Sequence, residues 1–285
     1  MKISIIIPTY NRSSPFINTL KSLFAQKYNN FEIIVIDQSD KIFPEKEKFF
    51  KLNQNKFTLI KTKIPNAARA RNLGLKIAKG EIILLLDDDT VFGKDLLINH
   101  VNAYSDSRIG AVAGRVISEG QPVEADRKNV GQITPWGSFT DGFSSKIKQE
   151  VMTVITCNAS WRKSVLDKIG GFDQNFTGPI REDTDLSLRT IKDGYKIVFE
   201  PKAEVVHKRA ASGGFRKSEG RNRWYLGFFK SEAYFSLKWI KWYWWPVFWT
   251  TRWQWFLRSK SLILPWQGII EGIKSFRRLK NENWS

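Results

Sequence analysis

Three consecutive carboxylates, Asp87-Asp88-Asp89, follow directly on the apolar run Ile82-Ile83-Leu84-Leu85-Leu86. Parallel strands, buried on both faces, read as continuous apolar runs of this kind. Ligands of open α/β sheets bind just beyond the carboxyl ends of such strands. Three acids there concentrate negative charge where a ligand would sit. They repel one another unless a cation neutralises them, and hard divalent cations prefer oxygen ligands. The triplet also reads as a solvated acidic turn capping the next helix, since Asp is favoured at turns and N-caps. The apolar strand before it favours a metal site.

Two other apolar segments end in comparable groups. Lys2–Ile7 runs into Pro8-Thr9-Tyr10-Asn11-Arg12, and Phe31–Ile36 ends at Asp37. A nucleotide needs backbone and aromatic contacts for its base, a carboxylate for a ring N–H and a cation for its phosphates. Each turn alone is an ordinary use of Pro, Asp and Asn; the three together point to a nucleotide site.

These turns are spaced by a regular alternation. Ile17, Leu20, Leu23 and Phe24 have helical spacing, Phe57–Lys61 reads as a third strand, Ala67–Ala78 as a helix and Glu81–Leu86 as the fourth strand. Strands separated by helices imply right-handed crossovers and a parallel sheet with helices on its faces. No Gly-x-Gly-x-x-Gly follows the first strand, so the usual dinucleotide fingerprint is missing. Further on, strands are expected at Ala111–Ser118, Val151–Ala159, Lys196–Phe199 and Ala203–His207. Short helices at Ser164–Ile169 and Thr184–Asp193 should stop at Gly170-Gly171 and Gly194.

With 285 residues the chain has room for one large domain, or one domain with an appendage. Its 42% apolar content excludes a disordered chain. The single Cys157 excludes an intramolecular disulfide and fits a reducing compartment. The N-terminal apolar run is too short for a signal peptide, and no stretch of about 20 uncharged apolar residues suggests a membrane-spanning helix. Charge and tryptophan are unevenly spread. From Lys208 onward there are 16 Lys/Arg against 4 Asp/Glu, or +12 of the chain's +18, together with 10 of the 12 Trp. A boundary is expected near residues 208–222, where Ala210-Ala211-Ser212-Gly213-Gly214 reads as a flexible loop.

The chain resembles the family-2 glycosyltransferases, whose fold is GT-A. The segments that carry the resemblance are Ser4–Arg12, Glu32–Asp40, Ala70-Arg71-Asn72-Leu73-Gly74-Leu75, Gly80–Asp89, Gly170-Gly171-Phe172-Asp173 and Arg181-Glu182-Asp183-Thr184-Asp185-Leu186, in the family's order over roughly residues 1–207. The resemblance implies a GT-A (Rossmann-like) α/β domain over 1–210, with a mixed, mostly parallel sheet flanked by helices. Residues 211–285 would be a lid loop and a helical, basic, Trp-rich region.

By the same resemblance, Pro8, Thr9, Tyr10, Arg12, Asp37, Arg71, Asp87 and Asp88 would hold the donor nucleotide, usually a uridine diphosphate. Asp87 and Asp89 match the family's Asp-x-Asp motif; with His207 they would hold Mn²⁺ or Mg²⁺. Asp183 would be the base that deprotonates the acceptor hydroxyl, with inversion at the anomeric carbon. Taken alone, Glu182-Asp183 also reads as an acidic helix start favoured by the macrodipole. Glu182 and Trp161 would stand on the acceptor side, where a Trp face can stack on a sugar ring or simply fill the core. His100 reads as an ordinary helix residue. Lys208, Arg209, Arg216 and Lys217 around the glycine-rich loop suit a lid that clamps a diphosphate, or a basic linker.

Residues 234–257 interleave Trp, Tyr and Phe with Lys and Arg, and Pro246 should break a helix there. Basic helices rich in Trp and Phe are the usual monotopic anchors, so residues 222–280 are expected to lie on an anionic membrane surface. Packing on the catalytic domain and an oligomer interface are the competing uses. The expected protein is a cytoplasmic enzyme peripheral to the inner face of the cell membrane, using a nucleotide-sugar and a glycan or lipid-linked acceptor. A sugar-phosphate nucleotidyltransferase would carry a glycine-rich loop after the first strand, which is missing. A nucleic-acid binder would explain the cations and aromatics but not the acid cluster, so no nucleic acid is expected as partner.

Overall fold

The structure is a computed structural model and describes residues 1–63, 65–178, 180–210, 213–214 and 220–282. Arg216 and Lys217, expected on the lid, lie outside the described residues.

The first half alternates as expected: β1 (Ile3–Thr9), α1 (Ser14–Phe24), β2 (Phe31–Asp37), α2 (Pro44–Leu52), β3 (Thr58–Lys61), α3 (Ala67–Ile77) and β4 (Ile82–Leu86). Helix α2 was not expected. Its sequence, PEKEKFFKL, is dominated by charge, yet it carries ordinary start and stop signals: Pro44 in the first turn, Glu45 and Glu47 beside it, Lys51 in the last turn. Then come β5 (Thr90–Val91), α4 (Leu96–Ala103), β6 (Ile109–Ser118), β7 (Gln149–Val151), β8 (Asn158–Arg162), α5 (Lys163–Ile169), α6 (Glu182–Lys192) and β9 (Lys196–His207).

The nine strands form one mixed sheet in the order β3-β2-β1-β4-β8-β6-β9-β5, with β7 also on β9. β3, β2, β1 and β4 run parallel, whereas β8 is antiparallel to both β4 and β6. Two expectations change here. The apolar run expected as one strand over Val151–Ala159 is divided: β7 ends at Val151, β8 begins at Asn158, and a loop joins them. Conversely, Lys196–Phe199 and Ala203–His207 are one strand. It stays continuous past Pro201 because its register with β6 jumps between Gly114↔Glu200 and Arg115↔Glu204, an irregularity of the kind that accommodates proline in a sheet.

The main core is the apolar filling of this sheet. Ile5, Ile6, Ile7, Leu84 and Leu86 are all completely buried. The C-terminal residues form α7 (Gly220–Trp239), a 3₁₀ turn (Trp242–Trp244), α8 (Trp245–Thr250), α9 (Trp253–Ser259) and α10 (Leu264–Glu282). Pro246 stands in the first turn of α8, where its missing N–H is harmless. α10 packs closely along α7. A Cβ at Gly268 would lie 2.7 Å from the Leu226 carbonyl, and one at Gly272 2.6 Å from that of Lys230. Tyr234, Phe235 and Phe248 are fully buried, and Phe176 meets Tyr234 edge-on at 4.9 Å. Part of the aromatic segment is therefore core shared with residues before position 210. Another part is open: Trp242, Trp253 and Trp266 are 76%, 62% and 62% exposed. No helix among the described residues is long and apolar enough to cross a membrane.

Candidate active site

A cavity of about 590 Å³ opens at the carboxyl ends of β1 and β4. Eleven of the thirteen predicted site residues line it. The turn after β1 contributes Pro8, Thr9, Tyr10 and Arg12, with Asn11 in the left-handed region at φ 51°. Thr9 Oγ1 donates to Asp88 Oδ2 at 2.7 Å, and Arg12 pairs with Asp88 Oδ1 and reaches Asp89 Oδ2 at 3.1 Å. Burial pushes the Asp88 carboxyl up to about 6, against the pull of Arg12. Both of its oxygens are occupied in holding the first turn to the acidic tip.

Asp89 and His207 meet because β5 pairs with the end of β9, which sets Thr90 opposite His207. His207 Nε2 lies 3.1 Å from Asp89 Oδ1, and the Ala210 amide donates to Asp89 Oδ2 at 2.9 Å. Burial would lower the His207 pKa, but the facing carboxylates, Asp89 foremost, outweigh it and raise it. Burial would raise Asp89, but His207, Arg12 and the Ala210 amide hold it low. Asp87, Asp89 and His207 each present one ligand atom, all within 4.8 Å of one another. Two carboxylates and an imidazole form a donor set suited to Mn²⁺ or Mg²⁺. These three residues would hold the ion. The described residue Gly214 donates its amide to the Tyr10 carbonyl at 2.8 Å, so the chain after β9 crosses the turn after β1.

On the other wall, Arg71 of α3 is buried and bridges two acids: Nη1 donates to Glu182 Oε1 at 3.1 Å, and Nη2 approaches Asp87 Oδ1 at 3.5 Å. Glu182 and Asp183 open α6 after Arg181, a non-glycine residue in the left-handed region at φ 78°. Asp183 Oδ1 accepts from the Thr184 amide at 2.7 Å. Burial, then the neighbouring Glu182 charge, push Asp183 well above the usual carboxylate range, while the Thr184 amide, Arg71 and Arg181 oppose. A carboxylate so raised is suited to taking a proton near neutral pH.

Two predicted residues are not in the cavity. Asp37 is buried against Lys46, whose Nζ donates to Oδ1 at 2.9 Å, and it also accepts from the Ser39 amide at 3.0 Å. The neighbouring Gln38 lines the cavity instead, with Oε1 accepting from the Asn66 amide at 2.7 Å. Lys46 went unseen because it belongs to α2, whose charged sequence hid the helix. Trp161 is fully buried in β8 and its indole N–H donates to Thr190 Oγ1 at 3.2 Å; it fills the core rather than facing a sugar. His100 is a buried helix residue as expected, set between Ser160 Oγ and Asn158 Oδ1 at 2.9 Å each; burial lowers its pKa to about 4. Gly178 also lines the cavity without having been singled out, and so does Cys157, which the sequence marked only as the single cysteine. Gly178 must lack a side chain, since a Cβ there would lie 2.1 Å from the Gly227 carbonyl on α7.

Comparisons with known proteins bear on the family and the fold. The O-antigen chain rhamnosyltransferase RfbN of Salmonella typhimurium is 29% identical over 213 residues, covering 73% of this chain and 66% of its own length. Among solved structures, GalNAc-T7 with UDP, GalNAc and Mn²⁺ superposes with a TM-score of 0.65 at 16% identity, over 83% of this chain and 50% of that one. The mannosyltransferase PcManGT of Pyrobaculum calidifontis, with GDP-Man and Mn²⁺, gives 0.60 at 20% identity, over 96% and 73%. At these identities the two structures establish the shared glycosyltransferase fold alone. The sequence profile described as glycosyl transferase family 2 matches residues 4–170, more than half of the chain. The chain therefore belongs to glycosyl transferase family 2.

Proposed function

We propose that the chain is an inverting, metal-dependent transferase that moves a sugar from a nucleotide-sugar, a UDP-sugar first among the candidates, to a lipid-linked or polysaccharide acceptor of a cell-surface glycan. The observation that carries this reading is one cavity walled by both the Asp87/Asp89/His207 cluster and the raised carboxyl of Asp183. The polysaccharide context rests on the rhamnosyltransferase relative.

In this reading the turn Pro8–Arg12 and Gln38 frame the nucleotide, with Arg71 and Arg12 as the cations near its phosphates. A divalent ion bound there would offset the charge that develops on the departing diphosphate. Asp183 accepts the acceptor hydroxyl's proton as that oxygen bonds to the anomeric carbon and the bond to the diphosphate breaks. Attack opposite the leaving group inverts that carbon. Such a base typically contributes about 10²–10⁴ in rate. Arg71, touching both Asp87 and Glu182, ties the donor side to the base side.

The exposed Trp242, Trp253 and Trp266, together with the basic composition of the C-terminal helices, support attachment to an anionic membrane surface. The same helices enclose an apolar groove of about 660 Å³. Together these favour an enzyme seated on the inner face of the cell membrane. The test is a screen of UDP-, GDP- and dTDP-sugars for diphosphate release with Mn²⁺, Mg²⁺ or chelator. Release that needs metal and one sugar class supports the proposal; metal-independent release, or none with any donor, refutes it.

A further inference from the structure

Asp183 belongs to the wall of a second cavity as well as the first. This second space measures about 570 Å³, within the roughly 300–1,000 Å³ of ordinary ligand sites. Phe139 and Asp141 line it from the β6–β7 connection, Trp224 and Phe228 from α7, and Gln254 and Trp255 from α9. We propose that it is the acceptor subsite and takes a pyranose unit of the acceptor glycan. The proposal rests on the reading of Asp183 as the base.

Two observations carry it. First, a base for glycosyl transfer must touch the acceptor hydroxyl while facing the donor's anomeric carbon. Asp183 lines both cavities, and Ile155 is the other residue they share. Second, the walls match a sugar's two kinds of surface. Trp224 stacks on Phe228 at 5.4 Å and 24°, and Trp255 lies 5.0 Å from Phe228, giving a joined aromatic platform for the apolar C–H face of a pyranose. Asp141, Thr251 and Gln254 are exposed around it and can bond hydroxyls. The 660 Å³ groove, by contrast, has no ionisable side chain in its lining and suits hydrocarbon rather than sugar.

Trp224, Gln254 and Trp255 all lie beyond residues 4–170, the part matched by the family. The aromatic wall that would select the acceptor is thus supplied by the C-terminal helices.

Ligand-observed saturation-transfer NMR on the full chain tests this, with methyl glycosides of a hexose, a 6-deoxyhexose and an N-acetylhexosamine as probes. Spectra are taken with and without saturating UDP and Mn²⁺, for the wild type, Gln254→Ala and Trp255→Ala, with thermal melts of each variant. The expected result is a signal from at least one glycoside that survives UDP, is lost in Trp255→Ala and weakened in the exposed-site variant Gln254→Ala, while both variants still bind UDP. Displacement by UDP, an undiminished signal in both variants, or no signal from any glycoside overturns the proposal. If UDP fails to bind but a glycoside binds and is lost in the variants, the cavity assignment stands and the UDP-donor reading fails.

Discussion

Arg181 and Glu232 make a buried two-point ion pair, Nε to Oε1 at 2.8 Å and Nη2 to Oε2 at 3.1 Å. Arg181 is the left-handed residue directly before Glu182-Asp183, whereas Glu232 lies in α7. Arg252 completes the group, donating Nε to Glu232 Oε2 at 3.0 Å, and both arginines also donate to the Gly137 carbonyl. A non-glycine residue in this backbone region persists only where its surroundings hold it. The C-terminal helices therefore help to set the position of the candidate base, and Asp185 repeats the connection by accepting from the Trp239 indole at 2.8 Å and pairing with Lys238.

Glu232→Ala should leave two buried guanidiniums without their carboxylate. Breaking a buried pair in this way costs about 3–5 kcal/mol, to be read as a lower midpoint in thermal or urea unfolding. Burial alone would raise the Glu232 pKa, but Arg181 and Arg252 outweigh it and hold the folded value below the ordinary one. The pair's stabilisation is thus present above the unfolded carboxylate value and is lost as pH falls through the lower folded value. Glu232→Gln should narrow the stability gap to wild type in strong acid. Equal melting of wild type and Glu232→Ala at pH 7 would show that the network contributes nothing.

The pH dependence of transfer should report Asp183. A base acts in its ionised form, and this carboxyl is shifted upward, so kcat/KM should rise with pH through a value above the usual carboxylate range. The neighbouring Glu182 charge adds to the burial that pushes this carboxyl up. Arg71→Met removes a positive charge that opposes the shift and should move the rising limb to higher pH. Asp183→Asn should bind donor normally and lose about 10²–10⁴ in kcat. Unimpaired turnover in that variant would dismiss Asp183 as the base.

Much of this site was legible because parallel strands and the turns that follow them are local in sequence. Pro8–Arg12 and Asp87–Asp89 each follow an apolar run, and both lie where the strand ends predict. What stayed hidden depends on contacts between distant residues. Asp37 was placed correctly at the end of β2, but its partner Lys46 comes from a helix whose charged face gives little periodic signal. Trp161 was read by its position along the chain; the antiparallel pairing of β8 with β4 and β6 turns that indole into the core. The second role of the C-terminal segment, as the wall behind α6, required the Arg181–Glu232 and Asp185–Trp239 contacts, which no spacing rule announces.

Asp89→Ala should weaken Mn²⁺-dependent UDP binding by at least about tenfold, since loss of a supporting outer group alone typically costs 10–100-fold. Asp88→Asn is the informative control. Asp88 holds Thr9 and Arg12 and is not among the clustered ligand atoms, so that variant should lose stability while keeping most of its metal affinity. Titration calorimetry of Mn²⁺ and UDP, beside thermal melts, separates the two. Equal loss of metal affinity in both would assign Asp88 to the ion as well.

Membrane attachment is best tested by point substitution. Deleting residues 222–285 would strip Tyr234 and Phe235 from a core they share with Phe176 and would unpair Arg181, so an insoluble product would say nothing about lipid. Trp253 and Trp266 are both 62% exposed, and Trp253→Ser with Trp266→Ser leaves those buried contacts intact. Inserting an indole into the lipid boundary buries on the order of 100 Å² of apolar surface, worth roughly 2 kcal/mol at about 25 cal/mol per Å². The double variant should therefore float with phosphatidylglycerol vesicles at least about a hundredfold less well. Raising the salt concentration should weaken wild-type flotation separately, because screening acts on the Lys and Arg share of the binding and not on the indoles. If the exposed indoles instead meet a second copy of the chain, the substitutions would leave flotation unchanged and shift the sedimentation of the lipid-free protein toward monomer.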